Sequence, residues 1–557
     1  MSIPVGPVCQ AVCQARAWGP CVGGRVSEPR VGTPCVAALC VRLSVRTSEP
    51  VCESRGMITP PADPVRVDPG IARSLAGAAP RSFWLDQPDA PEPLPALAGN
   101  VTADLVVIGG GFTGLWTALL ARERYPELGV VLVEAKTVGW AASGRNGGFC
   151  SASLTHGIGN GLERFPGEMP LLERLGEQNL REIGETVARY GIDCDFQPTG
   201  ELAFGTADWQ LDGLDEEAVA ARRLGHDVEV LDAAGARAEL DSPLWAGGLR
   251  YTTGNAMVEP GRLAWGLRRA CLDAGVRIYE HTPATSLSAE AGGAGMRVRT
   301  PYGSARAAKV VLAAGVPGGS LLRRLGAYVV PVWDYVLMTE PLSAVQLDSL
   351  GWRDRRGASD LGNQFHYFRL TRDNRVLWGG YDAVYYNGGR IREEHAARPA
   401  TFAKLAAQFF ATFPQLAGVS FTHAWGGVID TCSRFCAFFG TAHGGRVAYA
   451  AGYTGLGVGA SRFAAQVLLD RTQGEESERV RLTLVNSKPV PFPPEPLRSG
   501  VIQATRASIA RADRNEGRRD LWLRLLDRMG LGFDSLSPGG MPPRVSAVNL
   551  RGAWGCR

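Results

Sequence analysis

Residues 104–148 read DLVVIGGGFTGLWTALLARERYPELGVVLVEAKTVGWAASGRNGG, and this stretch decides the fold. Residues 105–108 are a short apolar run suited to a buried parallel strand, and they lead straight into Gly109-x-Gly111-x-x-Gly114 with a helical pattern behind. Gly109 permits a tight turn, Gly111 leaves room for a pyrophosphate against the backbone, and Gly114 lets the helix pack close to the strand. Phosphates on such a turn meet the unpaired N–H groups and positive dipole end of the helix. A second strand at 130–133 ends in Glu134, 20 residues past Gly114, where a carboxylate accepts hydrogen bonds from ribose hydroxyls. An acid there disfavours a 2′-phosphate, so NADP is not expected. Residues 105–121 carry no charge and imitate a membrane span. At 17 residues, three of them the glycines of a phosphate turn, they are better explained as strand, turn and helix, and no transmembrane segment is expected.

The 557 residues are too many for one simple core and imply two or more domains. The formal charge is only +4, and residues 1–56 supply +3 of it, so neither nucleic acid nor an anionic membrane is an expected partner. Six of the 12 cysteines (Cys9, Cys13, Cys21, Cys35, Cys40 and Cys52) lie in residues 1–56, a segment rich in Arg, Pro and Gly without periodicity. It reads as a non-native or disordered extension, with translation expected to begin at Met57. The other six are scattered, as in a reducing cytoplasm, and a cytoplasmic location is expected. Cys432 and Cys436, with His423 or His443, have a spacing unusual for a thiolate site, and no metal is expected.

Residues 57–103 form a Pro- and Ala-rich arm with Phe83-Trp84-Leu85 as its anchor. Helical periodicity marks residues 171–190, 262–274 and 399–413; strand patterns mark 276–279, 309–313, 328–338, 365–381 and 446–450. The fold class is therefore α/β. A discontinuous Rossmann-like nucleotide domain is expected from residues 104–192, 258–326 and 425–474. An inserted α+β substrate domain on a mixed or antiparallel sheet is expected from 193–257 and 327–424. Residues 475–557 hold a Pro-rich link, two Arg-rich helical stretches and a disordered end. In the second stretch Leu521, Trp522, Leu525, Leu526 and Met529 fall on one helical face.

Three further motifs narrow the dinucleotide: residues 141–148 (AASGRNGG), 280–284 (EHTPA) and 450–455 (AAGYTG). With the N-terminal fingerprint they resemble the D-amino-acid oxidase (DAO) superfamily of FAD-dependent amine and amino-acid oxidoreductases, over about residues 80–535. Within it the motifs look most like the gamma-glutamylputrescine oxidoreductase branch, with glycine oxidase and sarcosine oxidase more distant. The resemblance implies non-covalent FAD. Gly109, Gly111, Phe112, Thr113 and Gly114 would hold the pyrophosphate, and Glu134, Ala135 and Lys136 the AMP ribose. Ala142, Ser143, Gly144, Arg145, Asn146, Gly147 and Gly148 would follow the ribityl chain and flavin. Ala284, Ala314 and Gly315 would line the cofactor. Gly452, Tyr453, Thr454, Gly455, Leu456 and Gly457 would aim a helix N-terminus at flavin N1 and C2=O, where charge develops on reduction.

The implied activity is oxidation of the C–N bond of a primary or secondary amine by hydride transfer to flavin N5. The resulting imine is hydrolysed to an aldehyde, and the electron acceptor is oxygen or a carrier. No catalytic side chain is singled out, because the cofactor performs the redox step. Trp333, Tyr335, Phe365, His366, Tyr367, Tyr381 and Trp425 are pocket candidates, since aromatic walls exclude water and attract a cationic amine; for each, core packing is the competing reading. Residues 425–440 align with a glycine oxidase segment whose arginine grips the substrate carboxylate, and the residue here is Ile429. That disfavours a simple α-amino acid and favours an amine such as gamma-glutamylputrescine. Two alternatives stay open: an N-methyl or D-amino-acid dehydrogenase, and a flavoprotein subunit without turnover. A homo-oligomer is compatible with all three.

Overall fold

The computed structural model describes residues 68–529 and 531, apart from 294 and 381. The expected extension 1–56, the start of the arm, the tail from 532 and the pocket candidate Tyr381 lie outside the described residues.

The strand Gly99–Ile108 stands at the centre of the first sheet, paired in parallel with Val130–Val133 on one side and Gly303–Leu312 on the other. Arg277–Tyr279 and Val447–Ala451 extend the parallel ladder, and Phe438–Ala442 closes one edge antiparallel. Leu105 and Val107 point into one apolar cluster, Val106 and Ile108 into another. Burial on both faces explains why this strand reads as a continuous apolar run. Helices Phe112–Arg124, Pro260–Asp273, Met169–Arg189 and Gly457–Gln473 pack in the first cluster.

The second sheet has eight strands and orders Phe421–Thr431, Val330–Thr339, Val376–Gly380, His366–Leu370, Gly357–Asp360, Glu201–Gly205, Gly247–Tyr251 and Val228–Asp232. It is antiparallel except for one parallel pair, Gly357–Asp360 with Glu201–Gly205. Helix Pro399–Thr412 lies on its back, in a core with Tyr335, Phe368 and Trp378.

Hydrogen bonding redraws two expected boundaries. The first strand begins at Gly99 rather than 105, because the ladder to Gly303–Leu312 runs its full length. Phe421–Thr431 pairs with Val330–Thr339 over almost all its length, so residues 425–431 belong to the second sheet and not to the nucleotide domain. The final helix departs from the expected face too. Asp520 caps it by accepting from Leu523 N at 3.0 Å, and it buries Leu523 and Leu526 against Ala512 while Leu521, Leu525 and Met529 stay exposed.

The arm is docked, with a short helix at Pro69–Leu75. Leu94 N and Val138 N both donate to the buried Glu280 carboxylate, at 2.5 and 2.6 Å, and Leu97 N donates to Thr282 Oγ1 at 3.0 Å. Phe83 and Trp84 are buried between the sheets with Trp425, and the Trp84 indole donates to Asn146 O at 2.9 Å. Replacing Trp84 by Ala removes both the ring and this donor. Urea unfolding should show a loss of about 3–5 kcal/mol, and a loss below 1 kcal/mol would mean that the arm does not anchor the sheets.

Candidate functional site

The turn after the central strand is shaped by its glycines. Gly109 has φ +112°, and a Cβ there would lie 2.6 Å from Ala313 O. A Cβ on Gly114 would collide with the carbonyl oxygen of Gly109, so that glycine sets how closely helix and turn approach. Gly111 is the N-cap of helix Phe112–Arg124, and a Cβ on it would lie 2.9 Å from Ser143 Oγ. That hydroxyl accepts from Phe112 N at 3.0 Å, so Ser143 sits against the glycine turn while bordering the cavity.

Glu134 ends the neighbouring strand with its carboxylate over the turn. It accepts from Gly110 N at 2.6 Å and from Lys136 N at 2.9 Å, which leaves lone pairs on both oxygens for hydroxyl donors. Burial raises its pKa, and the N–H groups of Lys136 and Gly110 partly offset this. Lys136 pairs with the exposed Glu393 at 3.0 Å, and both border the cavity described next.

One cavity of about 1380 Å³ runs from this turn to the second sheet, lined by Gly109, Glu134, Ala284, Ala314, Gly315 and Tyr453 among others. Pockets for drug-sized ligands usually hold about 300–1,000 Å³, so there is room for a dinucleotide and a substrate together. Glycines at the turn, a helix N-terminus and an acid with free lone pairs fit an FAD.

The loop at residues 142–148 crosses this cavity and is held from behind. Ser82 Oγ donates to Gly144 O at 2.7 Å, Trp425 Nε1 to Arg145 O at 2.9 Å and Trp84 Nε1 to Asn146 O. The Arg145 guanidinium donates to Trp140 O at 2.9 Å and Gly426 O at 3.0 Å, tying the loop to the second sheet. Asn146 Nδ2 donates to Ala142 O and Ser143 O, both at 3.0 Å, and its Oδ1 accepts from Gly148 N at 2.8 Å. Among the expected cofactor contacts, Gly114, Gly144, Gly148 and Gly452 do not line the cavity. A Cβ on any of them would meet backbone or a buried side chain, so they serve close packing.

The last glycine-rich turn reaches the same space. Tyr453 OH and Thr113 Oγ1 lie 2.7 Å apart and join it to the first helix. Asp430 accepts from Gly452 N at 2.7 Å through its carboxylate and from Thr454 N at 3.1 Å through its carbonyl. Burial pushes the Asp430 carboxyl up to about 7 against the hydrogen bonds that lower it.

Strand register sorts the pocket candidates. Opposed residues in a ladder share a face, and the ladders join Tyr367 to Ser359 and Gly379, Val336 to Trp425, Asp334 to Gly427 and Val332 to Ile429. Tyr367, Trp425 and Ile429 therefore look toward the nucleotide domain, and Tyr367 and Ile429 line the cavity with Phe365. Trp425 is fully buried beneath it. Tyr335 and His366 lie on the opposite face and are corrected to core residues. Tyr335 OH donates to His395 O at 2.9 Å, while His366 stacks on Trp378 and lies 2.5 Å from Asp360 and 3.1 Å from Gln408. Trp333 shares that face but still borders the cavity, and among the described residues its buried Nε1 has no hydrogen-bond partner.

Two acids on the cavity face escaped the sequence reading. Asp334, between two aromatic candidates, accepts the Tyr367 hydroxyl proton; burial raises its carboxyl to about 6, and the Tyr367 hydrogen bond pulls the other way. Glu201 is raised to about 7 by burial. Period-2 alternation was the available signal: a strand with Trp333 and Tyr335 inward must turn Asp334 outward.

A side chain at Gly111 would invade the space between Ser143 and the turn. Gly111→Val should therefore purify colourless, and a flavin content equal to wild type would contradict the placement of the pyrophosphate here.

Comparison with known proteins agrees with this geometry. Residues 104–471 match the DAO family, described as FAD dependent oxidoreductase. The chain is 32% identical over 411 residues to gamma-glutamylputrescine oxidoreductase of Escherichia coli, covering 72% of this chain and 90% of that protein. It is 27% identical over 424 residues to the probable oxidoreductase OrdL of Haemophilus influenzae, covering 74% and 91%. The fold is similar to glycine oxidase from Geobacillus kaustophilus, with a TM-score of 0.56 at 21% identity over 70% of this chain and 99% of that one. No described helix is long and apolar enough to cross a membrane. The fingerprint, the cavity and the family match over residues 104–471 lead to one conclusion: this chain belongs to the DAO family of FAD-dependent oxidoreductases and uses FAD.

Proposed function

We propose that the enzyme oxidises the C–N bond of a primary or secondary amine of the gamma-glutamylputrescine type. The observation that carries this reading is the pair Asp334 and Tyr367 on the cavity wall beside the Arg145–Gly147 loop. Gly427, opposite Asp334, abuts Arg145, and a Cβ on Gly147 would lie 2.7 Å from the Tyr367 ring. A carboxylate there, with Ile429 in place of a carboxylate-gripping arginine, suits a cationic amine rather than the anionic end of an amino acid. The 32% identity to gamma-glutamylputrescine oxidoreductase supports the same class.

FAD, when bound, supplies the two-electron acceptor for the hydride on the carbon next to nitrogen. The protein must present that amine uncharged. Asp334, ionised above about 6, accepts the ammonium proton, and Tyr367 holds the carboxylate in place. Phe149, Phe365 and Ile429 supply apolar wall and exclude water. Water then hydrolyses the released imine to an aldehyde and ammonia, or to an aldehyde and the shorter amine where the substrate is secondary.

The cofactor is proposed to be held without a covalent bond. Cys432 borders the cavity, but its thiol is buried, its pKa is raised, and it points at the carbonyls of Cys436 and Gly452 at 3.2 and 3.3 Å. Acid precipitation should leave the flavin in solution.

Anaerobic mixing with a panel of gamma-glutamylputrescine, putrescine, sarcosine and D-amino acids should bleach the flavin absorbance fastest with the first. Faster bleaching by sarcosine or a D-amino acid would favour the dehydrogenase alternative, and re-oxidation in air, followed as peroxide, tells oxygen from a carrier. Activity should rise with pH through an apparent pKa near 6, because the base works only when deprotonated. Asp334→Asn should lower kcat/KM by about 10²–10⁴-fold and erase that limb. Tyr367→Phe removes the hydrogen bond that lowers the Asp334 pKa, so the limb should move to higher pH. A profile unchanged in both variants would exclude Asp334 as the base.

A further inference from the structure

The matched family region ends at residue 471, yet part of the cavity wall comes from beyond it. After the helix Gly457–Gln473 the chain returns across the second sheet and is tied down at successive points. Ser433 Oγ donates to Val490 O at 2.7 Å, Phe492 N to Ala327 O at 2.8 Å, Tyr385 OH to Glu495 Oε1 at 2.7 Å and Gln503 Nε2 to Tyr385 O at 2.9 Å. Further along helix Leu497–Arg514, the Asp513 carboxylate accepts from Asn363 N, Asn363 Nδ2 and Gln364 N at 2.9, 2.7 and 3.1 Å. It thereby clamps the loop that presents Phe365. Ile502, Thr505, Arg506 and Ile509 of this helix face the cavity.

Arg506 is the charged member of that row. Its Nη1 donates to Gln503 Oε1 at 2.8 Å, while its Nε is buried without an acceptor among the described residues. Among the described residues no carboxylate lies within ion-pair distance of it; the nearby Asp382 is engaged by Arg398 at 2.9 Å and Lys404 at 3.4 Å. Asp382 acts on Arg506 only at a distance and is shared with Arg398 and Lys404. A partly buried guanidinium with no direct carboxylate partner gains from a ligand that supplies one, and a guanidinium matches a carboxylate in bidentate geometry. Its electrostatic neighbours, Asp382, Arg398 and Tyr335, belong to the second sheet and its flanking segments rather than to the nucleotide turn.

We propose that Arg506 is a specificity-determining residue that binds a carboxylate at the end of the substrate remote from the oxidised amine, selecting amines that carry an anionic group over simple diamines. This rests on the amine reading above and deepens it. The arginine that a glycine oxidase would place at position 429 is absent, and the anion contact is transferred to a helix beyond the matched family region, which ends at residue 471. The substrate then spans the cavity with its amine at Asp334 and its carboxylate at Arg506.

The test uses the full-length holoenzyme with Arg506→Gln and Arg506→Lys, and flavin reduction by gamma-glutamylputrescine and by putrescine. Arg506→Gln should raise KM for gamma-glutamylputrescine about 10- to 100-fold, the range for a lost charge-assisted hydrogen bond, with kcat within about twofold. Putrescine kinetics should stay within about twofold, and Arg506→Lys should recover part of the loss. Equal losses on both amines, or none on gamma-glutamylputrescine, overturn the proposal. Glutarate, a dicarboxylate without an amine, separates the two readings through its perturbation of the flavin spectrum. If no amine reduces the wild-type enzyme, the amine reading fails, and glutarate binding weakened in Arg506→Gln would still support the anion site. Glutarate binding that ignores the substitution would overturn it.

Discussion

Two indole donors hold the enzyme's two halves in register. Trp84 and Trp425 donate to the adjacent carbonyls of Asn146 and Arg145, and the Arg145 side chain returns the tie through Gly426 O. The loop they grip follows the second strand of the nucleotide sheet, while Trp425 and Gly426 belong to the second sheet. Buried carbonyls left without donors would each cost about 1–3 kcal/mol, so the tryptophans do more than fill space. They fix where the loop lies against the cavity.

Burial dominates the electrostatics of that cavity. Asp334, Glu201 and Asp430 are all raised by desolvation, to about 6, 7 and 7. Surface ion pairs such as Lys136 with Glu393 contribute little by comparison. Raised carboxyls of this kind are poised near neutrality and switch charge with the arrival of a cation, the behaviour expected at a functional site. Asp430 uses its carboxylate differently, pinning the turn at Gly452, and its position beside the cavity follows from that structural task.

The nucleotide turn could be read from the chain because its determinants are local. Each of its glycines answers a contact within the turn or with a neighbouring strand, and Glu134 falls where a parallel neighbour must end. Local too were the burial of Phe83 and Trp84 and the helical character of residues 497–514. The pocket was harder, since aromatic composition cannot say which way a strand faces. Tyr335 and His366 proved to be core residues and Asp334, hidden between aromatics, proved to line the cavity, because register with distant strands chooses the face.

By itself the sequence determined the dinucleotide turn and the α/β class, which rest on short-range spacing, and its resemblance to the DAO family implied FAD. Only the tertiary structure decided that residues 425–431 belong to the second sheet, that Asp334 and Tyr367 meet beside the loop at residues 142–148 and that helix Leu497–Arg514 lines the cavity with Arg506. Those relations join residues tens to hundreds of positions apart, and hydrogen-bond register and packing, not spacing along the chain, bring them together.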